Sequence, residues 1–244
     1  MYTLGEEVSK AYSKGAEVLK IYSQGELVYE KSAPPPYSPY RYVICNIGHG
    51  YQRYDFDSKA AFETFLNDQK NNFEGKMKCG YNVRGEAEFT VMASTFRDCI
   101  KVTEIDISDM DIPELTSFVV TFGGCDELTK IVFPNSSLAN LTNMNFAFLD
   151  CRALRTLDLT RFNFNNLTIT AYMFHKMNNF TSLILNQSAL QKYPKDCKLD
   201  KCPNVTIYVN DRLVEEYKKA VGWIIIKNKI KPYSEYVPEE EVTL

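Results

Sequence analysis

The sequence predicts an α/β chain: a solenoid of stacked repeats with a parallel sheet and short helices, a small N-terminal β-meander and a C-terminal helical cap. Three observations lead there. A 26-residue spacing recurs through residues 89–185. The apolar period inside each unit switches from helical to strand-like. A separate ten-residue repeat fills the first 31 residues. Such units bury their apolar sides only against neighbours of the same kind, so the repeat dictates the architecture.

The chain opens with Gly5, Gly15 and Gly25, each followed three residues later by a valine, Val8, Val18 and Val28, with Tyr12 and Tyr22 in register. Tyr12-Ser13-Lys14-Gly15 and Tyr22-Ser23-Gln24-Gly25 read as hairpin turns, because glycine accepts the positive φ that tight turns demand. About thirty residues cannot bury a core alone, so residues 1–31 are expected to anchor on another polypeptide through Val8, Tyr12, Val18, Ile21, Tyr22, Leu27, Val28 and Tyr29. Residues 32–40, with four prolines, form an extended linker. Residues 41–88 read as a cap over the first repeat. Tyr42–Ile47 has a strand pattern, and Asp57 or Ser58 caps a helix with Ala61, Phe62, Phe65, Leu66 and Gln69 on one face.

The repeats and their closing cap occupy 89–236. Phe96, Phe122, Phe148 and Phe174 form one column, and Cys99, Cys125, Cys151 and Met177 another. Further columns are Val102, Leu128, Leu154 and Phe180; Ile105, Ile131, Leu157 and Leu183; and Ile107, Phe133, Leu159 and Leu185. Upstream, Phe89, Leu115, Leu141 and Leu167 are each followed by a threonine, Thr90, Thr116, Thr142 and Thr168. Met144, Phe148 and Cys151 lie at i, i+4 and i+7, the spacing of a helical face, and Leu157 and Leu159 then alternate as in a strand. The cysteine column reads as small apolar filler, since no chemistry needs one nucleophile per repeat. Leu213, Tyr217, Ala220 and Val221 make a capping helix started by Asn210 or Asp211 and stopped by Gly222. Residues 237–244 are an acidic tail.

Composition narrows the function. Twenty-eight Lys and Arg stand against 31 Asp and Glu, for a net charge of -3, without the basic surplus that nucleic-acid binding needs. The run Trp223–Ile226 is far short of the ~20 apolar residues that span a bilayer, and Met1–Lys20 has no secretory h-region. Neither nucleic acid nor membrane insertion is expected. Two histidines, and Cys197-x4-Cys202 without a second half-site, leave no zinc set, so no metal or cofactor is expected. The usual enzyme motifs are missing, and Cys45 with His49 makes a poor catalytic pair because the two fall in a strand and a glycine turn. Asp106 and Asp158 would sit about 10 Å apart at ~4.8 Å per strand, beyond the 6.5 to 9.5 Å (roughly) of an inverting glycosidase pair. A non-enzyme is the expectation. Six N-x-S/T sequons, at Asn135, Asn140, Asn166, Asn179, Asn186 and Asn204, recur partly because the repeat does, and the missing signal peptide argues against glycosylation.

The run Phe148-Leu149-Asp150-Cys151-Arg152-Ala153-Leu154-Arg155-Thr156-Leu157-Asp158-Leu159, with Asn140-Leu141-Thr142-Asn143-Met144 upstream, resembles the BspA-like leucine-rich repeats of Bacteroidales and mycoplasma surface proteins. Thr206–Val209, Val214–Ala220 and Ile230–Tyr236 resemble the closing elements of the same group. That resemblance implies a leucine-rich-repeat solenoid that binds rather than catalyses. Val18–Lys31 resembles the hairpins that head tail-associated proteins of Bacteroidales phages. Together they imply a virion structural protein, a fibre, tail or decoration component assembled in the host cytoplasm. Residues 1–31 would join other virion proteins or sister chains in a homo-oligomeric assembly. The solenoid would meet a host surface glycan or protein through Glu104, Asp106, Lys130, Asp158, Thr160, Ile184 and Asn186, the outward strand positions. The competing reading is a bacterial surface adhesin or interaction protein of the BspA-like family, located at the cell surface.

Overall fold

The computed structural model describes residues 8–13, 16–23, 26–28, 40–48, 50–82, 90–135 and 138–238, with side chains from residue 41 onward. The hairpin turns with Gly15 and Gly25, Tyr29 of the expected anchoring set, the proline linker, His49 and most of the acidic tail lie outside the described residues. Strands β1 (Val8–Ser13), β2 (Ala16–Ser23) and β3 (Glu26–Val28) form a three-stranded antiparallel sheet. Its register sets Val8 opposite Ile21, and Ile21 opposite Val28.

A second sheet is mixed, in the order β5-β4-β6-β7-β8. The hairpin β4 (Tyr40–Asn46) and β5 (Tyr51–Asp55) leads into helix α1 (Lys59–Gln69), which returns to β6 (Glu74–Asn82), antiparallel to β4. Ser58 caps α1 by accepting a hydrogen bond from the Ala61 amide at 3.1 Å. The helix buries Phe62 and Leu66. From β6 onward the direction becomes parallel, through β7 (Lys101–Met110) and β8 (Lys130–Val132). A third sheet, all parallel, consists of β9 (Thr156–Asp158), β10 (Ser182–Leu185), β11 (Thr206–Val209) and β12 (Ile230–Pro232) in that spatial order.

This corrects the expected fold class. The α/β solenoid with a layer of short helices is not what forms: the chain has mixed and parallel sheets with few short helices, and its strands divide between β8 and β9. Among the described residues the α-helices are α1 and the six-residue α2 (Val214–Lys219), and neither lies in the 26-residue units. The apolar columns at i, i+4 and i+7 sit on turns.

Hydrogen bonding explains why no helix closes there. An α-helix sends every amide to the carbonyl four residues back. In the 26-residue units alternate amides leave the segment. Met144, Phe146, Phe148 and Asp150 donate to the carbonyls of Ile169, Ala171, Met173 and His175 in the following unit, at 2.8–3.1 Å, whereas Ala147, Leu149 and Cys151 donate three residues back. The alternation requires left-handed residues at fixed places: Ser94, Val120, Phe146, Tyr172 and Lys198 in one column, and Asp98, Gly124, Asp150 and Lys176 in another, with φ of 54–77°. Such a conformation costs a non-glycine residue about 1–2 kcal/mol, and valine is an outlier there. The inter-unit bonds over-determine it.

The buried columns run through the middle. Phe96, Phe122, Phe148 and Phe174 are fully buried and stack ring on ring at 5.6, 5.6 and 6.1 Å, within 17° of parallel. Beside them Cys125 and Cys151 donate their thiols to the carbonyls of Phe96 and Phe122 at 3.0 and 3.1 Å. The threonine column is a rung system: Thr116, Thr142 and Thr168 each bond the preceding threonine's carbonyl through both amide and hydroxyl. At the far end Tyr217 and Trp223 are wholly buried with rings 5.2 Å apart. Trp223 Nε1 donates to the Gln191 carbonyl at 2.6 Å, and the Gln191 amide donates to Tyr217 Oη at 3.0 Å. Gly222 makes the turn between them at φ 84°.

Candidate functional site

Where the second sheet ends and the third begins, a cleft of about 910 Å³ opens at the carboxyl ends of β8, β9 and β10. Its wall on the β8 side includes Lys130 and Phe133. The loop after β9 contributes Thr160 and Arg161, the loop after β10 Asn186 and Gln187, and the turn after β12 Tyr233. The surface mixes hydrogen-bonding groups with apolar floor, as ligand sites do.

Four of the seven positions expected from the strand pattern meet here: Lys130, Asp158, Thr160 and Asn186. Three do not. Ile184, expected to face outward, is 4% exposed, held between Asp158 and Tyr208 in strand register; it is a core residue, because cross-strand neighbours shield it. Glu104 and Asp106 lie on β7, in a ladder of ion pairs instead of the cleft. Lys78 Nζ is 3.2 Å from both Asp106 and Asp109, and Glu104 sits 3.7 Å from Lys76 and 3.8 Å from Lys130. Burial works to lower the Lys78 pKa, but the charges of Asp106 and Asp109 and their hydrogen bonds outweigh it, so the ammonium titrates above its ordinary value. Asp106 is thus paired with a lysine of the second sheet, and Asp158 belongs to the third.

Charge in the cleft is therefore uneven. Lys130 is drawn to Glu104. Arg161 donates to the Asn135 carbonyl at 2.5 Å and reaches Asn135 Oδ1 at 3.5 Å. Asp158 has no cation beside it among the described residues; one carboxylate oxygen accepts the Thr160 amide at 2.9 Å, which closes the turn after β9. The Gln187 amide nitrogen donates to the Leu159 and Phe162 carbonyls, both at 3.0 Å, tying the two loops together. Its Oε1, enclosed at the wall, accepts no bond among the described residues, an arrangement that costs about 1–3 kcal/mol.

Tyr233 is the residue that sequence reasoning missed. It stacks on Tyr236 at 5.9 Å, and Tyr236 packs edge-on to Tyr208 at 5.0 Å, so an aromatic wall is braced from β11. Its signal in the sequence was the Tyr233-Ser234-Glu235-Tyr236 run, which marks the closing tail and says nothing of the cleft.

The cysteines play no part in the site. All seven are buried and none is in a disulfide. Burial pushes the Cys197 and Cys202 thiols up to about 11 and about 12 and raises Cys79 and Cys151 as well, which makes them inert as nucleophiles at neutral pH. Cys45 is in the core, and His49, with which it was expected to make no catalytic pair, lies outside the described residues. The sequons at Asn140, Asn166 and Asn179 also have structural work. Each side-chain amide donates to a carbonyl of the preceding unit, Pro113, Ala139 and Arg152, at 2.7–3.0 Å, so these asparagines are rungs. The residues expected to anchor the chain, Val8, Tyr12, Val18, Ile21, Tyr22, Leu27 and Val28, fall in β1–β3.

No curated protein matches the chain. The stretch that carries the 26-residue units, with Lys130, Asp158, Thr160 and Asn186 inside it and Tyr233 beyond it, does match a known family: residues 89–194, less than half of the chain, fit the family model described as "Mycoplasma protein of unknown function, DUF285".

Proposed function

We propose that the protein is a surface-displayed interaction protein of the BspA-like kind, and that it binds its partner through the cleft between β8 and β10. The match of residues 89–194 supports the family character. The observation that carries the binding role is the cleft itself, where Lys130, Asp158, Thr160 and Asn186 converge beside an aromatic wall. Repeat scaffolds of this sort present ligands with an extended surface and perform no chemistry on them.

The test uses the full chain, labelled and applied to intact host cells or tissue sections. Thr160→Trp fills the cleft from a half-buried position; it should abolish adhesion while the melting temperature stays within a few degrees of wild type. Adhesion that survives the filled cleft removes the proposal.

The virion reading has a narrower base: the resemblance of Val18–Lys31 to phage hairpins, together with the antiparallel sheet that β1–β3 form. It requires the protein in purified particles by mass spectrometry, and loss of incorporation when residues 1–39 are removed. Detection on the bacterial surface by antibody, without particles, favours the adhesin.

A further inference from the structure

We infer that the cleft takes a neutral saccharide, held by Asp158, Thr160 and Asn186 against the ring of Tyr233; this rests on the reading of the cleft as the binding face. The two cations of the cleft are already engaged, Lys130 with Glu104 and Arg161 with Asn135. Two charges of the cleft are left without an ion pair among the described residues, the Asp158 carboxylate and the Arg161 guanidinium, whose Nη1 and Nη2 are directed to the neutral oxygens of Asn135. These two charges balance, so an anionic ligand, whether sialylated, sulfated or phosphorylated, meets Asp158 as a like charge, and a cationic one meets Arg161. A neutral polyol avoids both.

The uncharged groups fit the same chemistry. Asp158 accepts and never donates, and Asn186 offers both an acceptor and two donors. Thr160 adds a hydroxyl of either sense. Asp158 stands beside Ile184 on the neighbouring strand, and Asn186 lies two residues beyond Ile184, on the same face by the period of a strand. Continuing that register sets Asn186 level with Thr160 and diagonal to Asp158, so the three groups are offered to successive hydroxyls of a sugar ring. No hydrogen bond within the described residues involves the Asn186 side chain, so it is available to a ligand. Tyr233, 37% exposed and backed by Tyr236, supplies a flat apolar surface for the C–H face of the ring.

The experiment applies the full chain to an array of neutral di- to hexasaccharides of glucose, galactose, mannose and fucose, printed beside sialylated and sulfated glycans. At least one neutral glycan should bind, and bind more strongly than its anionic counterparts. Asp158→Asn keeps the turn, because the amide oxygen still accepts the Thr160 amide, yet should weaken binding about tenfold or more, the scale of one hydrogen bond to a charged group. Tyr233→Ala should cost a similar factor, and Tyr233→Phe, which retains the ring, less than about threefold. Absence of any neutral ligand, preference for anionic glycans, or affinity indifferent to Asp158→Asn overturns the inference. Periodate and protease treatment of the host cells separates it from the broader reading. Adhesion lost after periodate supports the saccharide. Adhesion lost only after protease overturns the saccharide and leaves the cleft as a protein-binding site.

Discussion

The two sides of the stacked units are held together differently. On the turn side the inter-unit ladder is unbroken: amides from Met92 to Phe174 donate to carbonyls from Ser117 to Cys197, unit after unit. On the strand side the ladder divides, with β8 closing one sheet and β9 opening the next. Backbone continuity on one side permits the division on the other, and the cleft lies at the division. Scaffold and candidate site occupy opposite sides of the same repeat, and the consequences of substitution should differ accordingly.

The largest effect should come from the column shared by both sides. Phe148 is fully buried between Phe122 and Phe174, so Phe148→Ala should lower unfolding free energy by about 3–5 kcal/mol, read from urea denaturation. Next comes alkaline pH. The buried thiols have folded-state pKa values raised above an ordinary value of 9.0, to about 11 for Cys197 and about 12 for Cys202. Below pH 9 both folded and unfolded states hold the proton and nothing changes. Above it the unfolded chain ionises first, so stability should fall by about 1.4 kcal/mol per pH unit for each such thiol until the folded pKa is reached. Alkylation at pH 8 should likewise leave the thiols unmodified until the chain unfolds, as mass spectrometry can count.

Smaller effects distinguish the two sides more finely. Asn166→Ala removes a rung to the Ala139 carbonyl and should cost about 1 kcal/mol in the same denaturation assay. Asp158→Asn, on the cleft, should change stability by less than about 0.5 kcal/mol, because the turn after β9 survives and the carboxylate has no cation beside it among the described residues. A loss as large as that of Asn166→Ala would mean that the cleft, too, is scaffold.

How far the sequence foretold this arrangement depends on what each signal encodes. Apolar periodicity reports burial: the Phe96 and Cys99 columns are buried throughout, Ile131 and Phe133 in the strand columns are half-buried, and Phe89 lies outside the described residues. It does not report backbone dihedrals. Residues at i, i+4 and i+7 share a face in a helix and also in these turns, and the telling left-handed positions carry Val120, Phe146 and Tyr172, side chains that give no sign of positive φ. Only Gly124 does. On the strand side, alternation set Asp158, Thr160 and Asn186 outward, where Asp158 is exposed and the other two half-buried, but misplaced Ile184, since alternation ignores what the next strand presents, here Tyr208. Tyr233 was out of reach for a related reason: its place in the cleft depends on β12 pairing beside β11, a long-range fact without a local signature.

The contrast between the two sides is tested most directly by one pair of variants in one adhesion assay. Asn186→Trp crowds the cleft, and Tyr172→Ala strips the exposed ring that stacks on Phe146 at 5.3 Å on the turn side. With both variants shown to be folded by circular dichroism, Asn186→Trp should lose adhesion at least tenfold and Tyr172→Ala should retain it. Adhesion that survives Asn186→Trp and fails in Tyr172→Ala would place the binding face on the turn side and contradict the account.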